Sequence, residues 1–336
     1  MRIYVLGATG HIGSYLVPRL VRAGHEVVAA SRGSREPYHP DDAWRDAQRV
    51  VLDREATDAD GTTAAQVLAE RPDAVVDLVC FTPASALQLV EGLRGRVSLH
   101  AHCGSIWSHG LSTSLPMLED DPKHPFGEYG TAKHAIERLL FAETESGGLA
   151  STVVHPGHIS GPGWPVINPV GNLDPRVWAT IARGDELVVP GDASATMHHV
   201  HADDVAQVFE RALDVPEASV GESFHAVSPR ALTVRGYAEA AYGWWGHEPR
   251  VRSVPWAEFE ELTGAEHASA SWEHLHRSQV CSIAKGVDRL GYRPGWTSQA
   301  AAREAVAWLA THDAEHDLPA PVRHEERRRD PVSGPR

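Results

Sequence analysis

Tyr129 and Lys133 stand four residues apart in Tyr129-Gly130-Thr131-Ala132-Lys133, so on a helix a phenol and an ammonium share one face. A cation beside a phenol favours the phenolate and draws its pKa down toward the range where it exchanges protons near neutrality. Ser105 follows the apolar stretch Val97 to Cys103, and a hydroxyl at a strand end can hydrogen-bond a reacting oxygen. Ser105, Tyr129 and Lys133 are therefore the catalytic candidates, with proton transfer to or from a substrate oxygen as their chemistry. A hundred residues upstream, Gly7-Ala8-Thr9-Gly10-His11-Ile12-Gly13 comes directly after the apolar run Ile3 to Leu6. Gly7, Gly10 and Gly13 let the chain turn sharply out of a strand and approach a pyrophosphate, whose charge then meets a helix N-terminus. The two patterns together imply redox chemistry with a bound dinucleotide.

Such a turn works only between a strand and a helix, and the flanking residues supply both. Residues 2–7 read as the strand; a helix beginning near His11 carries Ile12, Tyr15, Leu16 and Leu20 at helical spacing, and Gly24 stops it before a second strand, Glu26 to Ala30. Further apolar strand candidates at 49–52, 74–79, 97–103 and 151–155 alternate with helical stretches, the pattern of a parallel, doubly wound sheet. Past Gly161 the chain is punctuated by Pro162, Pro165, Pro169 and Pro175, which suggests loops framing a substrate pocket. The expected fold is α/β: a Rossmann-type doubly wound parallel sheet with a smaller C-terminal substrate-binding domain. Residues 1–163 form the dinucleotide-binding part in this reading, 164–318 the substrate-binding part, and 319–336, rich in Pro, Glu and Arg, a disordered tail.

At 336 residues and 42% hydrophobic, the chain can bury a sizeable core. A net charge of −14 and the lack of a long basic stripe argue against a nucleic-acid surface, which needs clustered Lys and Arg. A small-molecule substrate is the expected partner. Cys80, Cys103 and Cys281 are odd in number, lack metal-type spacing and sit in apolar contexts, so reduced thiols and a cytoplasmic location are expected. The N-terminal apolar run is too short for a signal peptide, and no run reaches membrane-spanning length.

Cofactor choice falls to the end of the second strand, where an acidic residue would bind the adenosine ribose of NAD and repel an extra phosphate. Ser31 and Arg32 stand there, with Arg35 nearby, and a hydroxyl with guanidinium groups suits the 2'-phosphate of NADP rather than NAD. The alternative is that the arginines are merely solvated. His199-x-His201-x-Asp203-Asp204 has the look of a metal-ligand run. The reading favoured over it is a helix-capping aspartate pair, with the helix continuing through Val205, Phe209 and Leu213, so no metal site is expected.

The chain resembles an extended short-chain dehydrogenase/reductase of the NAD-dependent epimerase/dehydratase family. Besides the glycine turn and Tyr129-Gly130-Thr131-Ala132-Lys133, the resemblance is carried by Cys103-Gly104-Ser105-Ile106-Trp107, Glu137, His155-Pro156-Gly157, Gly161-Pro162-Gly163, His201-Ala202-Asp203-Asp204-Val205-Ala206 and Leu290-Gly291-Tyr292-Arg293-Pro294. It implies that Lys133 also binds the nicotinamide ribose, that Thr9, His11 and Ile12 lie against the pyrophosphate, and that Asp53 contacts the adenine. It further implies an interleaved topology in which 198–215 returns to the first domain, and homodimerisation through the helices bearing Tyr129 and following Thr82. Where sugar-nucleotide relatives usually carry Asn, a phosphate-binding Arg and a Tyr, this chain has His158, Met197 and His109. With Trp107, those positions are the expected substrate contacts, joined by His155 and His198, in a pocket suited to an anion or a flat ring. Three activities fit: an epimerase acting on a sugar, sugar nucleotide or nucleoside hydroxyl through a transient ketone, an NADPH-dependent carbonyl reductase, and a non-catalytic dinucleotide sensor. Ile106 and Trp107 occupy the place of the Asp-Glu pair usual in dehydratases, which disfavours elimination.

Overall fold

The computed structural model describes residues 1–312 and 318–322. Seven strands form one sheet: β1 (Arg2–Leu6), β2 (Glu26–Ser31), β3 (Gln48–Val51), β4 (Ala74–Asp77), β5 (Leu99–Cys103), β6 (Ser151–Pro156) and β7 (Ser223–Ala226). Their order is β7-β6-β5-β4-β1-β2-β3, and every neighbouring pair runs parallel. The order reverses beside β1, which places a ligand crevice at the carboxyl ends of β1 and β4. The central strands are buried on both faces, so β1 and β4 read as near-continuous apolar runs, while β5 alternates Leu99, Ala101 and Cys103 with the buried His100 and His102. The first six strands lie where the hydrophobic runs put them. β7 does not announce itself: four residues, Ser-Phe-His-Ala, carry too little apolar signal to be recognised without their partner β6.

The chain divides into two compact units. The first comprises Met1–Gly157, Ala202–Ala226 and Ser282–Arg293; the second comprises His158–His201, Val227–Cys281 and Pro294 onward. The cut falls at 157 rather than at 163, the returning segment starts at 202 rather than 198 and runs on through β7, and a third piece, Ser282–Arg293, joins the first unit. The helix Ala202–Asp214 begins with Asp203 and Asp204 in its first turn, where carboxylates favour the helix dipole.

The second unit has its own core, in which Trp178, Tyr237, Trp244 and Phe259 pack with Met197, Val189 and Leu275. Short strand pairs brace it: His158–Ser160 with His199–His201, Leu187–Pro190 with Val251–Val254, and Thr196–Met197 with Leu232–Thr233. Residues 319–322, expected as the start of the disordered tail, are held against the second unit. Leu318 is buried, the Pro319 carbonyl accepts from Trp245 Nε1 at 2.8 Å, and the Val322 N–H donates to Trp244 O at 2.7 Å. Residues 323–336 lie outside the described residues. No described helix is long and apolar enough to cross a membrane.

Candidate functional site

A cavity of about 750 Å³ opens in the first unit at the crevice beside β1 and is lined by Gly7, Thr9, Gly10, Ser31, Arg32 and Asp53. These six expected cofactor residues come together from the ends of β1 and β2 and from just beyond β3. His11, Ile12 and Gly13 are not in its lining; they sit behind the turn, where Ile12 opens the helix Gly13–Arg22. Gly13 is there for space, since a Cβ would lie 2.3 Å from the Ala8 carbonyl oxygen. The turn is thus pulled as close to the helix as backbone permits, leaving a cradle for a pyrophosphate. Asp53 caps the helix Arg54–Ala59, accepting from Glu55 N at 3.1 Å, while it faces the cavity.

At the adenosine end, Ser31 Oγ accepts from the Gly33 N–H at 3.3 Å, and Arg35 lies over the Tyr38 ring at 4.6 Å. Arg32 is exposed and, among the described residues, has no ion-pair partner. Phe81, Ser85, Gln88 and Arg54 complete the walls. Arg54 binds Asp58, four residues on, at 2.8 Å, but the partners that aim it at the cavity are remote in sequence: Asp77 at 2.9 Å and Ser85 Oγ at 2.8 Å. A cavity of this size, with a glycine cradle at one end and hydroxyl and guanidinium groups at the other, fits a dinucleotide.

The three catalytic candidates gather beyond Phe81, whose ring lies 4.8 Å from Lys133 Nζ. Ser105 follows β5 and caps a short 3-10 turn, Ile106–His109, with its Oγ accepting from Trp107 N at 3.2 Å. Tyr129 and Lys133 lie on the helix Gly127–Glu145. Tyr129 is 42% exposed, the side chain of the buried Ser105 acts on its phenol in favour of the phenolate, and Trp107 packs edge-on against the ring at 5.9 Å. Lys133 is 1% exposed and donates to the carbonyls of Cys80 and Cys103, each at 2.7 Å.

The phenol differs from the sequence expectation. Desolvation of the phenol oxygen pushes the Tyr129 pKa up to about 12, the Cys103 sulfur adds to the rise, and the Ser105 side chain opposes it. Lys133 spends its ammonium on two carbonyls and stands 5.9 Å from the ring centre, so desolvation outweighs the cation.

The proposed substrate contacts fare unevenly. Trp107 lies beside Tyr129. His109 is turned inward, 2% exposed, with its Nε2 2.7 Å from His225 Nε2. Met197 is fully buried in the second unit's core, where a flexible thioether fills space and no surface is left for a ligand. His158 is 7% exposed, its ring 5.4 Å from that of His199 and 5.3 Å from that of His274. His198 is structural, bonded to Ser228 O and Cys281 N. His155, read as a pocket imidazole, is fully buried against Ser105 and Glu137.

The metal-like run is committed elsewhere, with His199 Nδ1 on Ser160 Oγ, His201 Nε2 on Glu304 and Asp203 on Arg19. Asp77, Cys80 and His102 do bring ligand atoms within 4.8 Å of one another. Arg54 already pairs with Asp77, and the positive charge of Lys133 acts on His102, so a divalent ion would enter against two cations.

The profile of the NAD dependent epimerase/dehydratase family matches residues 3–226. A 2'-dehydrokanamycin reductase from Streptomyces kanamyceticus is 31% identical over 285 residues, 82% of this chain and 76% of the relative. A UDP-glucose 4-epimerase from Mycolicibacterium smegmatis is 29% identical over 232 residues, 63% of this chain and 73% of the relative. Two solved structures share the fold. One is an epimerase from Methanothermobacter thermautotrophicus, with a TM-score of 0.72 at 19% identity over 95% of both chains. The other is the Thermus thermophilus UDP-glucose 4-epimerase in complex with NAD, with a TM-score of 0.68 at 21% identity over 93% of this chain and all of that one. By its glycine cradle, its Ser105, Tyr129 and Lys133 and the family profile that spans them, this chain belongs to the NAD-dependent epimerase/dehydratase family of NAD(P)-dependent epimerases, dehydratases and reductases.

Proposed function

We propose that the protein is an NAD(P)-dependent oxidoreductase or epimerase acting at a hydroxyl-bearing carbon of a sugar, in free, glycosidic or nucleotide-linked form, through the corresponding ketone. The observation that carries this reading is the meeting of the cavity's Phe81 wall with Lys133, on the same helix as Tyr129, whose phenol the Ser105 side chain influences. Ser105 Oγ accepts from Trp107 N, which leaves its own proton for the phenol oxygen or, once substrate is bound, for the substrate oxygen. Tyr129 exchanges a proton with that oxygen, and Lys133, locked between the Cys80 and Cys103 carbonyls, fixes where its own charge sits. When bound, the nicotinamide supplies hydride exchange, and in its oxidised form a positive charge that favours the phenolate.

The reductase reading has its own support. A phenol held up to about 12 is protonated at neutral pH and ready to donate to a carbonyl oxygen, and the relative that is 31% identical reduces a dehydrokanamycin. Arg32, without an ion-pair partner among the described residues, favours NADP over NAD together with Ser31 and Arg35. Three free, buried cysteines suit a reducing cytoplasm, and a homodimer through the helices Pro83–Leu93 and Gly127–Glu145 completes the reading.

Mass spectrometry of nucleotide released from denatured, freshly purified protein tests the assignment, together with assays on UDP-glucose and on an unphosphorylated 2-keto glycoside. Retained stoichiometric NAD(P) with no net cofactor turnover marks an epimerase; reversible NADPH binding with net oxidation by the keto glycoside marks a reductase. Failure to bind either dinucleotide overturns both.

A further inference from the structure

Ser105 is held by more than its own turn. Its backbone N–H donates to His155 Nδ1 at 3.0 Å, and the opposite nitrogen, His155 Nε2, lies 2.7 Å from Glu137 Oε1. A nitrogen that accepts an N–H has no proton, so the His155 proton resides on Nε2 and is donated to Glu137. Glu137 is in turn fixed by Lys123 Nζ, 2.6 Å from its Oε2. None of the three is solvated: His155 is fully buried, Glu137 2% exposed and the Lys123 side chain 8%. Burial works against the Glu137 carboxylate, but His155 and Lys123 outweigh it and hold its pKa well below the usual carboxylate range. Burial likewise lowers the His155 pKa and keeps the ring neutral.

The arrangement depends on register. β5 and β6 pair in parallel with Cys103 opposite Val154, so the residues just past this pair, Gly104 and His155, meet side by side. Gly104 makes room, because a Cβ there would lie 2.5 Å from His155 Nδ1. Ser105 Oγ has no say in this contact; it caps its own turn through Trp107 N.

We infer that His155 is a positioning residue for Ser105: a neutral imidazole, oriented by the Glu137–Lys123 ion pair, that accepts the Ser105 N–H through Nδ1 and thereby sets where the serine hydroxyl meets Tyr129 and the substrate oxygen. The functional consequence rests on the reading of Ser105 and Tyr129 given above; the hydrogen-bond geometry does not. His155 touches neither substrate nor cofactor in this role. The chain Lys123–Glu137–His155–Ser105 is a specificity of position, in which a buried charge pair dictates a tautomer and the tautomer dictates a backbone.

Two substitutions separate the ring's two nitrogens. In His155→Asn the side-chain oxygen sits where Nδ1 was and can still accept the Ser105 N–H; in His155→Gln the amide nitrogen sits where Nε2 was and can still donate to Glu137. The first readout is amide hydrogen exchange at Ser105 with and without NADPH, alongside the imidazole 15N shifts of the wild type. We expect an Nε2–H tautomer, a Ser105 amide that stays protected in His155→Asn, and one that exchanges about tenfold faster or more in His155→Gln, as loss of a buried hydrogen bond requires. Gly104→Ala, which displaces the ring without altering it, should reproduce the Gln variant. The second readout is turnover of UDP-glucose and of the keto glycoside: kcat falls about tenfold or more in His155→Gln, with KM and NADPH affinity within twofold, and recovers in His155→Asn. An Nδ1–H tautomer, or equal Ser105 exchange in the two variants, overturns the inference whatever the activity. Undiminished turnover in Tyr129→Phe overturns the catalytic reading instead and leaves the exchange result standing.

Discussion

Lys133 and Tyr129 share a helix face with the ammonium 5.9 Å from the ring centre, but both hydrogen bonds of the ammonium run to the Cys80 and Cys103 carbonyls. The phenol therefore keeps a raised pKa and takes its direct support from Ser105. Tyr129→Phe removes the exchangeable proton and little else, because the ring remains against Trp107. Turnover should fall about 10²- to 10⁴-fold, while NADPH affinity, read by fluorescence titration, stays within twofold. Retention of more than a tenth of the activity contradicts the acid/base role.

Lys133→Met tests the other partner. It strands two carbonyls, that of Cys80 in the loop after β4 and that of Cys103 at the end of β5, so the cost to stability is about 2–4 kcal/mol. Thermal unfolding followed by circular dichroism should show the loss even without any nucleotide. A variant as stable as the wild type shows that water or a neighbour satisfies those carbonyls.

Cofactor preference turns on two substitutions at the cavity rim. Arg32→Ala should weaken NADP binding about 10- to 100-fold with NAD little changed, the range expected for a charge-assisted hydrogen bond. Ser31→Asp places a carboxylate against the 2'-phosphate and should invert the preference. Isothermal titration with both dinucleotides decides it; equal losses for NADP and NAD in Arg32→Ala count against a 2'-phosphate contact.

Acid should unfold this protein early. Burial lowers the pKa of His100 and His198 to about 4 and of His109 and His199 to about 3. Below about pH 6.5 each becomes protonated in the unfolded chain but stays neutral in the native one, so the unfolded state binds more protons and stability falls as pH falls. Each such group contributes at most about 1.4 kcal/mol per pH unit between 6.5 and its folded pKa. All four act in the same direction, so stability falls more steeply between pH 6.5 and 4 than any one ring would make it. Urea titrations at pH 7, 6 and 5 read the slope; a flat profile shows that these rings take up protons inside the fold.

Much of this was legible in the chain because its causes are local. The glycine turn, the strand and helix around it and the Tyr129-to-Lys133 spacing are set by backbone conformation and helical period over a few residues, and the structure has them where the sequence puts them. The parallel sheet followed from alternation, since buried strands between amphipathic helices have few other ways to pack. Residue types carried less about the pocket. His109, His155 and His198 look like ligands in a list, yet each is a buried hydrogen-bonding member of the core, and Met197 fills space. A side chain's face depends on strand register and on partners distant in the chain, Glu137 being 18 residues from His155 and His225 116 from His109, and the linear pattern does not encode those pairings. The same holds for the phenol: sequence spacing placed the cation, but only the tertiary structure decided that two carbonyls would claim it and that burial would set the Tyr129 pKa.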